Sequence, residues 1–341
     1  MAEAESANSS YRLWELIWGC AIGQAIHVAV ELQLPELLHE RVRSADELAR
    51  ASESDAWALE TVLRALHAFD LLQQHADERY ELTNLGRLLL RSSGATFPGE
   101  AGHFFHTLYQ PLGALLHMVK TGEVAFDHVY GESFYAHLQR RPALSCFFHD
   151  MMKQNAKARY AQLSSVVNFK PVKRVVDVGG SEGALLAQVL RENPHLNGVL
   201  FDLPDVIERA REQIAAAGLL DRCELIAGSF LDYVPAGGDI YLLAQIINNW
   251  ADPDALRVLE NCRAAMCADA RLLVLEAVST PGVAVLPWRA LVSLGVMAQR
   301  GGRTRSEIQL RELFDASGFC FQQVHRLPES ETCAIVGRLA L

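Results

Sequence analysis

The second half of the chain alternates short apolar segments with longer segments of helical periodicity, and this feature limits the possible folds most. From Lys173 onward, strand-like runs such as VLFDLP and DIYLLAQII are separated by helical patterns such as DVIERAREQIAAAG. Strands separated by helices form right-handed crossovers in a parallel sheet. The pattern therefore predicts an α/β fold with a doubly wound sheet, which binds ligands beyond the carboxyl ends of its strands. The last segment, SEIQLRELFDASGFCFQQVHRL, predicts one final helix and one final strand.

The first part of the chain follows a different order, in which short helices precede a hairpin. Ser44 and Glu47 have the spacing of a capping box, which starts a helix. Residues 55–72 form an amphipathic helix, and residues 71–86 read as two short strands around a polar turn. This order predicts a winged helix, a domain that binds DNA in many proteins. Residues 55–69 contain one Arg, one Glu and many Ala and Leu, a composition that favours packing over the reading of bases.

Two further segments have apolar surfaces that need a partner. Residues 11–38 show apolar residues at helical spacing with few charges, so they are buried by their own domain or by a second copy of the chain. We expect a homodimer. Residues 101–165 continue as helices rich in aromatic residues, His and Met. Such a stripe is usually core, but beside a catalytic domain it also lines a flat hydrophobic pocket.

Composition excludes several classes of protein. The chain has 341 residues, half of them hydrophobic, and a formal net charge of -10, which opposes a nucleic-acid surface. We expect no membrane partner, because no apolar run approaches the roughly 20 residues that span a bilayer, and we expect a cytoplasmic location. The 7 cysteines are scattered, so we interpret them as reduced and mostly buried. We expect no metal, since His103 and His106 have no third ligand at metal-site spacing.

Three strand ends carry residues suited to a nucleoside ligand. In VVDVGGSEG, Gly179, Gly180 and Gly183 stand between a strand and a helix, where glycine allows close approach of a ligand to the backbone. Asp202 ends the next strand, and an acidic residue there can accept both hydroxyls of a ribose. Ser229 and Phe230 follow the third strand, where an aromatic face can cover an adenine.

Together these motifs resemble the class I S-adenosylmethionine-dependent small-molecule O-methyltransferases, which include plant caffeate-type and bacterial natural-product enzymes. The resemblance covers nearly the whole chain. It implies a Rossmann-like catalytic domain at 166–341, a helical linker and substrate lid at 101–165, and a winged-helix dimerisation domain at 1–100. It implies S-adenosylmethionine as the cofactor. The cofactor-binding residues implied are Gly179, Gly180, Gly183, Asp202, Leu203, Ser229, Phe230, Gln245 and Trp250; the pocket residues are Phe147, Met151 and Trp288.

The chain also departs from the family pattern. Ser181 stands where the first motif usually has its middle glycine, and Ser229 where an Asp usually contacts the adenine. Ala244 and Gln245 stand where a Lys or Arg is common. Above all, the usual His-Asp-Trp reads Asn248-Asn249-Trp250. That His is the family's general base, held by two acidic residues.

These departures decide how the reaction is interpreted. Glu276 matches one of the two acidic positions, and Thr304 stands at the other. An asparagine cannot take up a proton near neutral pH. Some anthracycline-modifying relatives carry Asn before the same Trp, where Asn249 stands.

We therefore predict methylation of a hydroxyl on a small aromatic or polyketide-like natural product by proximity and orientation, without a His base. Asn248 and Asn249 would orient the acceptor, and Glu276 would hold one of them or a water. Three alternatives remain open. The first is non-methylating chemistry on the same fold, such as cyclisation, decarboxylation or hydroxylation. The second is methylation at carbon or nitrogen, and the third is a DNA-binding regulator.

Overall fold

The computed structural model describes residues 2–93, 97–280, 282 and 286–340. The chain divides into two compact units, Met1–Tyr109 and Gln110–Leu341. Each unit has its own apolar core. The assignment of residues 101–165 as a substrate lid stays a prediction.

The first unit is a helical domain with a small antiparallel sheet of order β1-β3-β2. Ser44 and Glu47 form the predicted capping box, and the predicted hairpin pairs Leu72 with Leu82. The winged-helix order is confirmed. The helices are α1 (Ala2–Glu31), α2 (Leu34–Glu40), α3 (Ala45–Ala51), α4 (Ala56–Ala68) and α5 (Phe97–His103), and the strands are β1 (Arg43–Ser44), β2 (Leu72–Gln74) and β3 (Arg79–Leu82).

Two helices of this unit use their apolar residues differently. In α4, Leu59, Leu63 and Leu66 lie on one buried face, so this helix packs as its composition predicts. In α1, the apolar residues 11–18 are mostly exposed. The segment Ser9–Glu31 is long and apolar enough to cross a bilayer by length and composition. The expectation that no run reaches that length is therefore wrong, although the core helix of a soluble protein or a signal sequence passes the same test.

The second unit begins with a group of helices and continues as the predicted sheet. The first helices are α6 (Tyr109–Gly113), α7 (Leu115–Thr121), α8 (Ala125–Tyr130), α9 (Phe134–Gln139), α10 (Pro142–Arg159) and α11 (Leu163–Val166). The later helices are α12 (Ala184–Glu192), α13 (Pro204–Ala216), α14 (Asp252–Ala265), α15 (Pro287–Arg300) and α16 (Glu307–Ala316). The strands are β4 (Arg174–Val178), β5 (Asn197–Asp202), β6 (Cys223–Ala227), β7 (Ile240–Ala244), β8 (Arg271–Ala277), β9 (Phe319–Arg326) and β10 (Thr332–Leu339).

The sheet has the order β6-β5-β4-β7-β8-β10-β9. The first five strands in this order are parallel, as predicted, but β10 runs antiparallel to both β8 and β9. The prediction of a single final strand is wrong, because a short connection after Arg326 returns the chain as a hairpin. The strand order reverses beside β4, so the carboxyl ends of β4, β5 and β7 meet at one edge.

The cysteines differ from their expected burial. All seven are free, as expected for reduced thiols, but only Cys223 and Cys262 are fully buried. Cys20, Cys146 and Cys267 are exposed, as is Cys320. The prediction of mostly buried cysteines is therefore wrong, because four of the seven lie at exposed positions that the cores do not cover.

Candidate active site

The loop after β4 is built for close approach. Gly179 and Gly183 have φ angles of +70° and +81°, in the left-handed region that favours glycine. A Cβ at Gly179 would lie 2.6 Å from Ile246 Cδ1 and 3.0 Å from Phe230. A Cβ at Gly180 would lie 2.5 Å from Asp177 Oδ2. The loop therefore packs closely against its neighbours at the switch point of the sheet, and the N–H groups of Gly179 and Gly183 donate to the carbonyls of Phe201 and Gly180.

Two carboxyl groups lie under this loop. Asp202 ends β5, and its two oxygens accept hydrogen bonds from the N–H groups of Ser181 and Leu203, each at 2.7 Å. Burial raises the pKa of Asp202 to about 6, against the opposing effect of those N–H groups. Asp177 is fully buried, and neither of its oxygens has a hydrogen-bond partner among the residues that the structure describes. Burial, with repulsion from Asp202, raises the pKa of Asp177 to about 7.

An aromatic corner stands beside the loop. The rings of Phe230 and Trp250 meet edge to face with centroids 5.9 Å apart, and Tyr135 stacks on Trp250 at the same distance. The Trp250 Nε1 atom is buried and has no hydrogen-bond partner within the described part of the chain. The Ser229 hydroxyl accepts a hydrogen bond from the N–H of Leu231, so it caps its own turn. This corner offers an apolar face for a flat heterocycle.

The segment after β7 holds its amides in one orientation. Gln245 donates from Nε2 to the carbonyl of Leu275 at 3.1 Å, so its Oε1 faces Asn248 and accepts from Nδ2 at 3.1 Å. The Asn248 Oδ1 atom is then left buried and without a partner in the described residues. Asn249 donates from Nδ2 to the Gln245 carbonyl at 2.7 Å. Asn248 therefore presents a hydrogen-bond acceptor, while Asn249 fixes the backbone.

Glu276 supports this segment from β8. Its Oε1 accepts from the backbone N–H of Asn248 at 2.8 Å, and the side chain is 1% exposed. Burial raises the pKa of Glu276 to about 7. The carboxyl group holds the main chain of Asn248 rather than its amide. Thr304, at the other acidic position of the family pattern, pairs instead with Ser293 at 3.1 Å.

The loop after α15 also contacts the segment that follows β7. Arg305, also nearly fully buried, donates to the carbonyls of Ile247 and Trp250 and to the carboxylate of Asp252. A Cβ at Gly302 would lie 2.2 Å from the carbonyl oxygen of Asn248, so only glycine fits this contact. The residues that place Asn248 therefore come from two distant parts of the sequence.

The three predicted pocket residues are not gathered at the site. Met151 is buried in a cluster with Phe126, Phe134 and Phe148, so it packs within the helical core. Phe147 is half-buried, and Trp288 is 54% exposed. Their role as a pocket wall stays a prediction.

Sequence reasoning missed several residues that shape the site. Asp177 was recognised as part of the VVDVGGSEG motif, but no role was predicted for it, although a buried carboxylate inside an apolar strand is itself a signal. His149 and Arg305 give no such signal, since one lies in a long helix and the other in an Arg-rich loop. The nine predicted cofactor residues come from the ends of β4, β5, β6 and β7, and the structure places these ends at one edge of the sheet.

A separate group of possible metal ligands lies away from this edge. His117, Glu123 and His128 lie beside an open cavity of about 560 Å³ on α7 and α8. The two imidazole rings are stacked with centroids 3.7 Å apart, and a ring nitrogen of each lies within 4 Å of the same Glu123 oxygen. The carboxylate of Glu123 lies 2.6 Å from His117 Nε2, as in an ordinary ion pair.

Comparison with known proteins identifies the family. The family model described as an O-methyltransferase domain matches residues 109–320, and the model of the O-methyltransferase dimerisation domain matches residues 14–92. The chain belongs to the O-methyltransferase family. S-adenosylmethionine is the cofactor of this O-methyltransferase, and the glycine loop, the Asp202 carboxyl and the aromatic corner fit its methionine, ribose and adenine parts.

Three similar proteins support this identification. The O-demethylpuromycin-O-methyltransferase of Streptomyces alboniger is 34% identical over 95% of this chain and 88% of its own length. The structure of the mitomycin 7-O-methyltransferase MmcR is 30% identical, with a TM-score of 0.94, and covers 99% of this chain and 100% of its own. The neocarzinostatin enzyme NcsB1, in complex with S-adenosylmethionine and 2-hydroxy-5-methyl naphthoic acid, is 28% identical with a TM-score of 0.84 over 93% of this chain and 95% of its own. Non-methylating chemistry, C- or N-methylation and DNA regulation are not favoured by these O-methyltransferase relatives.

Proposed function

We propose that this enzyme methylates a hydroxyl group of a small aromatic natural product, and that it does so by placement of the acceptor rather than through a base of its own. The observation that carries this proposal is the fixed orientation of Asn248, whose buried Oδ1 can receive a hydrogen bond but cannot keep a proton. Relatives of this chain act on O-demethylpuromycin, and one binds a hydroxylated naphthoic acid.

One set of residues holds the cofactor, and a second set holds the acceptor. S-adenosylmethionine, when bound, supplies a methyl group on a positively charged sulfur. Asp202 accepts the ribose hydroxyls, and Phe230 and Trp250 cover the adenine. Asn248 Oδ1 orients a donor group of the acceptor, while Glu276 keeps the Asn248 main chain in place. The acceptor hydroxyl loses its proton to solvent, as a phenol or enol that is partly ionised can do.

The direct test is incubation of the purified protein with S-adenosylmethionine and a panel of hydroxylated benzoic and naphthoic acids. Mass spectrometry should find products heavier by one methylene group, and fragmentation should locate it on oxygen. If S-adenosylmethionine binds but no member of a broad phenol panel gains a methyl group, the proposal is wrong. Methylation on nitrogen or carbon alone would also contradict it.

We also propose that the enzyme is a cytoplasmic homodimer with no nucleic-acid or membrane partner. The dimerisation-domain match and the exposed apolar face of α1 support the dimer. The packing face of α4 and the net charge of -10 argue against DNA. Seven free cysteines support a reducing compartment. Light scattering tests the dimer, and a gel shift at physiological salt tests nucleic-acid binding. Vesicle flotation tests membrane binding, and cell fractionation tests the location.

A further inference from the structure

One face of α10 carries three polar residues that reach towards the cofactor loop and α13. Ser145, His149 and Lys153 are spaced four residues apart, so they lie above one another on the same side of the helix. Arg209 donates from Nη2 to the Ser145 hydroxyl at 3.3 Å, and Lys153 donates to Gln213 Oε1. Ser145 is 2% exposed and His149 is 9% exposed. This face is therefore buried against the SAM-binding part of the unit.

His149 contacts the cofactor loop directly. Its Nδ1 lies 2.8 Å from the hydroxyl of Ser181, and the N–H of Ser181 donates to Asp202 Oδ2 at 2.7 Å. The next residue, Glu182, accepts a hydrogen bond from Arg209 Nε at 3.3 Å. A continuous set of contacts thus runs from α10 through the loop to the carboxyl group that receives the ribose.

Ser181 is the residue at which this chain departs from the glycine of the family pattern. Its φ angle is +54°, a conformation in which serine is disfavoured relative to glycine. The side chain that replaces the glycine hydrogen makes the hydrogen bond to His149. Burial, with repulsion from Arg209, lowers the pKa of His149 to about 4, so the imidazole is neutral at neutral pH and can share one hydrogen with the hydroxyl.

We propose that His149 is a positioning residue for S-adenosylmethionine, which holds Ser181 so that the loop and Asp202 keep the geometry that binds the cofactor. Because α10 also carries Phe147 and Met151, the same contact joins cofactor binding to the helix of the predicted acceptor pocket. This inference rests on the proposed function, since it requires that the loop binds S-adenosylmethionine.

The first experiment measures the affinity for S-adenosylhomocysteine by calorimetry. His149→Ala should raise the Kd by about 3- to 10-fold, the effect of one net hydrogen bond. His149→Asn should stay within about 2-fold of wild type, because a carboxamide can replace the imidazole Nδ1 contact. His137→Ala is the matched control: His137 is also a buried histidine of this helical region, but it pairs with Glu132 rather than with the loop. Its Kd should not change.

The second experiment is a double-mutant cycle with Ser181→Gly. Ser181→Gly alone should raise the Kd as His149→Ala does, and the double variant should be no weaker than the weaker single variant. When the S-adenosylmethionine concentration is varied, the KM for S-adenosylmethionine should change more than kcat in each variant. A merely structural role predicts additive losses and no rescue by His149→Asn.

The outcomes are separable. If wild type does not bind S-adenosylhomocysteine, the proposed function fails. If wild type binds and either His149→Ala or Ser181→Gly binds equally well, only the role of His149 is overturned. If His149→Ala does not fold, the affinities of Ser181→Gly and His149→Asn test the proposal instead. Ser181→Gly removes the same contact and His149→Asn replaces it, and neither leaves a large cavity.

Discussion

Asn248 is oriented by hydrogen bonds that admit one arrangement. The carbonyl of Leu275 can only accept, which assigns the donor end of Gln245, and this in turn assigns the donor end of Asn248. We expect the remaining oxygen to accept a hydrogen bond from the substrate. Holding two reactants in line can supply effective molarities of about 10⁵–10⁸ M, whereas a general base contributes about 10²–10⁴-fold. We therefore expect placement to be the larger contribution to the rate.

Asn248→Ala or Asn249→Ala should therefore lower kcat by tens of fold, and not by the thousands expected for loss of a base. The pH–rate profile should follow the ionisation of the acceptor, without a step near the ordinary histidine value of about 6.5. Steady-state kinetics check both points. Asn193→Ala is the control, because this amide also donates to a main-chain carbonyl but lies at the end of α12. Complete loss of turnover in Asn248→Ala would contradict placement as the main contribution.

Asp202 should make cofactor affinity depend on pH. We expect the ionised carboxylate to accept two ribose hydroxyls. Its pKa of about 6 lies above the ordinary aspartate value, so affinity for S-adenosylhomocysteine should fall as the pH drops below about 6. Asp202→Ala should weaken binding at pH 7.5 by about 1.5–3 kcal/mol. Calorimetry across the range from pH 5 to 8 measures both effects. Asp202→Asn should give a flat profile, and the exposed Asp232→Asn should behave as wild type.

Glu276 should lower stability as the pH rises. Its pKa is raised to about 7 in the folded state, so the folded protein holds a proton that the unfolded chain releases at lower pH. The stabilisation is full below about pH 4 and is lost as the pH rises through 7. Relative to Glu276→Gln, wild type should lose about 3 kcal/mol of unfolding free energy between pH 4 and pH 8. Urea denaturation of both proteins measures this, and an unchanged difference would show that the carboxyl group is ionised throughout.

At the scale of elements, the segment after β7 owes its shape to the loop after α15. Arg305→Met should lower the unfolding free energy by about 3–5 kcal/mol, because two main-chain carbonyls and Asp252 lose a buried cation. Arg303→Met is a matched control, since Arg303 pairs with the same Asp252 but its side chain is 50% exposed. Its cost should stay within about 1 kcal/mol. Equal losses in the two variants would show that the ion pair, and not the buried carbonyl contacts, supports the segment.

The strand ends that meet at one edge of the sheet could be predicted from local pattern, because each is a short run of sequence with its own chemistry. Asp202 and Asn248 were placed at strand ends in this way, and their roles stay predictions. The hairpin of β9 and β10 was missed because a short turn joins these antiparallel strands, and no helix between them marks where the second strand begins. His149 was missed for a different reason: its partner Ser181 is 32 positions away, and only packing brings the two together. Contacts between residues that are far apart in the sequence produce no periodic pattern in it.

At the scale of the whole molecule, we expect assembly to depend on α1. Ile17 is 66% exposed on this helix, beside exposed Leu13 and Trp14. Ile17→Glu should convert the dimer into monomers or aggregates, because it places a charge in the apolar face that a second copy would cover. Size-exclusion chromatography with light scattering reports the result. Ile308→Glu is the matched control, with 62% exposure on α16, and should leave the mass unchanged. An unaltered dimer in Ile17→Glu would place the interface elsewhere.

The aromatic residues of α1 give this helix an optical property of its own. Trp14 and Trp18 are stacked with centroids 5.6 Å apart, and Tyr11 continues the stack at 6.2 Å from Trp14. Two indoles in water emit at longer wavelength than two indoles in an apolar contact. The natural fluorescence of the chain should therefore shift to the red on dilution, at the concentration where the subunits separate. Subunit exchange can thus be followed without attaching a dye.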